Sequence, residues 1–177
     1  MDAGLRRLTR IAAAGALGSL LLGAPAACAW VPTVRDVSPG EAARQIQRAY
    51  GQVRVVMIYS TSCPHCRTMF PDFVDLAARY RSRGVTVLTF ATDDDAQDVA
   101  DFLGSKRLPF PTARVADAGP GDLRKAMRSA GLDLERHRGV PYVAVVDRDG
   151  TVVGETTGSG STREVEDWLD EIGVAAP

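Results

Sequence analysis

The chain has 177 residues, 45% of them hydrophobic and 24% charged, with a formal net charge of −1, a composition that excludes disordered and fibrous classes and fits one globular domain. Acidic and basic residues are interleaved, and no run of like charge exceeds Asp93-Asp94-Asp95, so no nucleic acid is expected as a partner. Three cysteines are too few for a small disulfide-stapled scaffold.

The first residues differ from the rest. Arg6, Arg7 and Arg10 make a basic start, "IAAAGALGSLLLGA" is an apolar stretch too short to span a membrane comfortably, and "ACAW" places small residues at Ala27 and Ala29. This pattern predicts a signal peptide over residues 1–29, cut after Ala29, and export, with the periplasm as destination. Two other readings remain: a lipid anchor on Cys28, or an uncut N-terminal membrane anchor. Pro25 stands where a lipoprotein signal carries a branched apolar residue, and the Arg6-Arg7 pair is an incomplete twin-arginine signal. Cleavage would leave a mildly acidic chain with Cys63 and Cys66 as its cysteines.

Residues 30–37 read as a short tether and 38–177 as the domain. "SPGEAARQIQRAYG" predicts a helix with Ser38 as N-cap, Pro39 at the first helical position, Ala42, Ile46 and Ala49 on one face, and Gly51 beyond its end. "VRVVMIYS" is short, apolar and β-branched, a buried central strand. From Pro64 to about Arg83, Met69, Phe73, Leu76, Ala77 and Tyr80 recur at helical spacing, with Phe70, Pro71 and Phe73 expected to bend and pack this helix. "VTVLTFAT" is a second strand, and "DDDAQDVADFLGSK" a helix with acidic residues in its first turn. "LPFPTARVAD", broken by Pro109 and Pro111, suits an edge strand or connector. "GDLRKAMRSAG" is helical, and His137, between Arg136 and Arg138, reads as a solvated loop residue. "PYVAVVD", "RDG" and "TVVGETTG" form a hairpin. "STREVEDWLDEIG" closes the chain as a helix with Val165, Trp168, Leu169 and Ile172 inward. The order is that of an α/β fold, a central mixed β-sheet flanked by helices.

"CPHC" lies at the strand-to-helix junction before the long helix. At a helix N-terminus, unpaired N–H groups and the positive end of the dipole favour thiolate over thiol at Cys63. Cys66, about one turn on, is placed to attack a mixed disulfide formed on Cys63. Pro64 starts the helix without wasting an N–H, and His65 adds donors and, when protonated, a positive charge that stabilises the reduced form. A zinc half-site is an alternative, but it needs two further ligands where His65 and His137 are the histidines present. An inert disulfide is another, although so short a loop removes little chain entropy. A peroxidatic cysteine would need an upstream Pro and Thr where Val56 and Ser60 stand.

Three features resemble the thioredoxin superfamily: "CPHC" after an apolar strand, "GVPYVAVVDRDGTVVG", and the closing helix. The resemblance covers nearly all of residues 38–174 and implies a thioredoxin-like fold. It implies a cis Pro141, with the backbone of Val140 holding a substrate strand against Cys63. The extra helix and strand before Pro141, with "LPFP" and "DRDG", are similar to the exported TlpA/ResA-type thiol-disulfide oxidoreductases, whereas the Pro64-His65 dipeptide is similar to DsbA. Met57 stands where thioredoxin has a buried aspartate, and Met69 where ResA-like proteins have a glutamate, so the protonation of Cys66 has no carboxylate assigned to it.

The expected function is thus an enzyme that exchanges disulfides with protein thiol and disulfide substrates through Cys63 and Cys66. It needs no cofactor or metal beyond its own redox-active disulfide, and a membrane redox partner would reset the pair. The alternative is a binding module: Cu(I) held by soft thiolates, or a non-catalytic thioredoxin-like chaperone.

Overall fold

The computed structural model describes residues 34–104, 106–158 and 162–174. The signal-peptide reading, Cys28 and Trp30 fall outside the described residues. Six strands form one sheet in the order β1-β4-β3-β2-β5-β6: β1 (Arg35–Val37), β2 (Val53–Tyr59), β3 (Val85–Ala91), β4 (Thr112–Val115), β5 (Tyr142–Val146) and β6 (Val152–Thr157). Strands β1 to β4 run parallel, while β5 pairs antiparallel with β2 and β6 with β5.

Every residue of β2 is buried, because both faces of the sheet are covered there. Side-chain alternation sends Val55, Met57 and Tyr59 to one face, where they meet α2 (Pro64–Tyr80), α3 (Ala96–Leu103) and α5 (Thr162–Glu171) through Phe70, Phe73, Leu76, Leu103 and Leu169. Val56 and Ile58 point to the other, against Ala42 and Ile46 of α1 (Pro39–Arg48) and Met127 of α4 (Pro120–Ser129). Ser38 caps α1 as its sequence predicts: its Oγ accepts from Glu41 N at 3.3 Å, and its own N donates to Glu41 Oε2 at 3.1 Å, a reciprocal capping box.

Several expectations are corrected. Residues 35–37 are not tether but strand β1, paired with Ala113–Val115. The "LPFPTARVAD" strand is internal, since β1 covers one side of β4 and β3 the other; Pro109 and Pro111 lack the N–H that a ladder needs, so they precede a ladder beginning at Thr112 rather than mark an edge. The expected acidic first turn of α3 is present as Asp98, while the acidic triplet precedes the helix. That helix starts at Ala96 with Asp95 as N-cap, accepting from Gln97 N at 2.8 Å, and Asp93 turns inward. His137 is half-buried against the Tyr142 ring, 3.7 Å from Glu155 Oε2. Trp168 is half-buried rather than core.

The Trp168 ring lies where a side chain at Gly154 would stand: a Cβ built there comes within 2.1 Å of Cε2. Replacing Gly154 by Ala forces the ring off its site, an overpacking defect expected to lower stability by about 1–3 kcal/mol, measured as a lower urea midpoint with an unchanged denaturant slope.

Candidate active site

The buried strand β2 delivers the chain to one end of the sheet, where Ser60, Thr61 and Ser62 turn it into α2. Cys63 is the N-cap of that helix, extended at φ −79° and ψ 119°, with Pro64 in the first turn. Its N donates to Ser60 O at 3.2 Å, and its carbonyl accepts the Arg67 N at 3.1 Å. Both cysteines are free thiols, Cys63 half-buried and Cys66 sealed from solvent. His65 is exposed beside them.

Pro141 and Val140 come from the opposite side, from the loop before β5. The Val140–Pro141 peptide is cis, and the Cys63 Sγ donates to the Val140 carbonyl at 3.3 Å. Residues 63, 66, 140 and 141, about eighty positions apart in the chain, therefore meet at one spot. Beyond Val140 opens a cleft of about 810 Å³ between the strand ends at Thr92 and Val115 and the loop carrying His137.

Burial separates the two sulfurs. The Cys66 thiol is pushed from the ordinary 9.0 up to about 12, first by desolvation, then by its hydrogen bond with Cys63 and by the negative charges that Cys63 and Asp93 can carry, while a backbone hydrogen bond from Ser60 opposes the rise. Cys66 is a thiol at neutral pH, shielded from outside reagents, and Cys63 is the sulfur that solvent can reach. Met57 and Met69 are both buried in the apolar cluster that includes Cys66.

The residue that sequence reasoning missed is Asp93. Its carboxylate is buried, and accepts from Thr61 N at 2.9 and 3.1 Å, Thr61 Oγ1 at 2.7 Å and Ser60 Oγ at 3.0 Å. One signal pointed to it: it follows the carboxyl end of the strand neighbouring the one that leads to Cys63, and sites in parallel sheets gather at such ends. Among the described residues, no three His, Cys, Asp or Glu side chains gather as a metal site would require, and no helix is long and apolar enough to cross a membrane.

The family model described as Redoxin matches residues 27–172. A curated relative, thiol-disulfide oxidoreductase ResA of Bacillus thuringiensis subsp. konkukian, is 26% identical over 114 residues, 64% of this chain and 60% of the relative; the chain thus spans less than two thirds of the curated relatives it matches. Among solved structures, a thiol:disulfide interchange protein of the thioredoxin family from Chlorobium tepidum TLS superposes with a TM-score of 0.58 at 24% identity, covering 73% of this chain and 84% of the other. A secreted disulfide oxidoreductase of Mycobacterium tuberculosis gives 0.54 at 20% identity, covering 71% and 85%. The fold is thioredoxin-like.

Because the folded state holds the Cys66 proton more tightly than an unfolded chain does, the stability it contributes to the dithiol form is complete below pH 9 and is lost as pH rises from about 9 toward about 12. Denaturation of the reduced protein from pH 7 to 11 is expected to show stability falling above pH 9, with a shallower fall in Cys66→Ala.

Proposed function

The chain belongs to the Redoxin family, and from that premise we propose that it is an exported thiol-disulfide oxidoreductase that exchanges disulfides with protein substrates through Cys63 and Cys66. The observation that carries this reading is the inequality of the two sulfurs: one half-exposed at a helix N-cap beside the Val140 backbone, the other sealed one turn further along.

In the reductive direction, the Cys63 thiolate attacks one sulfur of a substrate disulfide. A bond forms between Cys63 and that sulfur, the substrate S–S bond breaks, and the leaving sulfur takes up a proton. The Cys66 thiol then gives up its proton and attacks Cys63 Sγ, closing the Cys63–Cys66 disulfide and releasing the second substrate thiol. The substrate gains two electrons and the pair loses two; the oxidative direction is the same sequence reversed. Val140, at the joint between Cys63 and the cleft, offers its backbone to an extended substrate segment, in the manner of strand addition. Cys66 needs no low pKa before the mixed disulfide forms, and its burial protects that intermediate from premature release.

Export rests on the basic and apolar pattern of residues 1–29, and the destination consistent with it is the periplasm. There the pair needs an outside source or sink of electrons, which a membrane redox protein would supply.

Cys63→Ser is expected to lower insulin reduction or RNase oxidation by about 1000-fold or more, whereas Cys66→Ala should accumulate mixed disulfides on Cys63, visible on non-reducing gels and by mass spectrometry. Unchanged turnover in Cys63→Ser would replace the enzyme reading with that of a binding module. Titration against glutathione buffers assigns the direction: a potential near roughly −270 mV marks a reductant and one near roughly −120 mV an oxidant.

A further inference from the structure

Asp93 is an expensive way to hold a turn. Its carboxylate is buried, and the donors that reach it, Thr61 N, Thr61 Oγ1 and Ser60 Oγ, are all uncharged. The guanidiniums nearby are directed elsewhere: Arg67 Nη1 donates to Thr61 O at 3.1 Å, and Arg114 donates to the carbonyls of Asp93 and Asp94 at 3.3 and 2.7 Å and to the Asp36 carboxylate at 2.8 and 2.6 Å. Among the described residues, no Lys, Arg or His side chain forms an ion pair with the Asp93 carboxylate. A neutral amide could accept most of these bonds without the desolvation cost of a charge lacking a countercharge. The charge itself therefore calls for an explanation.

The turn it grips is the one that presents Cys63. Ser60 Oγ, bonded to Asp93, also pairs with Ser62 Oγ at 2.8 Å and accepts Ser62 N at 3.3 Å, and Ser60 O accepts Cys63 N at 3.2 Å. We propose that Asp93 is a positioning residue for the disulfide exchange proposed above: it clamps residues 60–62 so that Cys63 faces Val140, and its buried charge repels an anion at Cys63 but not the neutral disulfide, which biases the pair toward the disulfide. Burial leaves Cys66 a thiol at pH 8, so this bias acts through Cys63. The charge thus opposes the helix N-terminus, which favours thiolate and the reduced form.

The test equilibrates the full chain with glutathione buffers at pH 8, where the disulfide and two glutathione thiols exchange with the dithiol and one glutathione disulfide, conserving electrons. Asp93→Asn should shift this equilibrium three- to tenfold toward the dithiol, on the order expected for one charge removed from a partly desolvated site. Thr61→Val, which deletes one bond of the clamp but keeps the charge, should slow exchange with a protein disulfide several-fold and leave the equilibrium within about twofold. Should Asp93→Asn fail to fold, Asp93→Ser carries the same expectation. An equilibrium unmoved by loss of the charge, or moved as far by Thr61→Val, overturns the inference. The equilibrium is readable whether or not protein substrates react: a wild-type chain inert toward them sinks the oxidoreductase reading alone, whereas an active wild type with an unmoved Asp93 variant sinks this inference alone.

Discussion

The burial of β2 on both faces is the constraint from which the site follows. Its seven residues are inaccessible, and each fully buried aliphatic side chain there stabilises the fold by roughly 1.5–3 kcal/mol. A one-residue slip would exchange Val55, Met57 and Tyr59 with Val56 and Ile58 between two differently shaped apolar clusters. The register is therefore rigid, and the point at which the chain leaves the sheet and enters α2 is set by it. Cys63 stands at that point. A sulfur at the end of a clamped strand has a position defined by the core.

On this frame the two cysteines acquire different chemistry from one local motif. They are three residues apart on the same helix turn, yet one faces the Val140 carbonyl and solvent and the other faces Tyr59, Met57 and the aromatic cluster of α2. Dielectric environment, rather than residue type, separates the accessible sulfur from the buried one. The same low dielectric gives Asp93 its reach. An exposed aspartate would be screened by water, whereas one buried and bonded to the backbone of Thr61 acts through protein.

Much of the architecture was legible because its signals are local. The Ser38 cap, the continuous apolar run of β2, the helical recurrence of Phe73, Leu76 and Tyr80, and the hairpin around "RDG" each depend on a few neighbouring residues. The misreadings share a different cause. Strand β1 is three residues long and exists because β4 offers it an edge, so nothing in "RDV" itself announces a strand. The interior place of β4 was obscured by Pro109 and Pro111, whose missing N–H groups matter only where a ladder forms. Arg54, inside an apolar run, is buried with its guanidinium donating to the carbonyls of Ile46 and Asp147, partners from distant elements.

The order of residues alone determined that two cysteines separated by two residues would open a helix after a buried strand, because strand pattern, proline and helix period are written within some thirty consecutive positions. It also determined that Met57 and Met69 could not move protons. What only the tertiary structure decided was the company those sulfurs keep: the Val140 carbonyl at Cys63, the apolar seal over Cys66, and the Asp93 carboxylate beneath Thr61. Electrostatics and desolvation depend on distance through space, and residues 63, 93 and 140 become neighbours only when parallel β2 and β3 bring their carboxyl ends, and antiparallel β5 its amino end, to one end of the sheet.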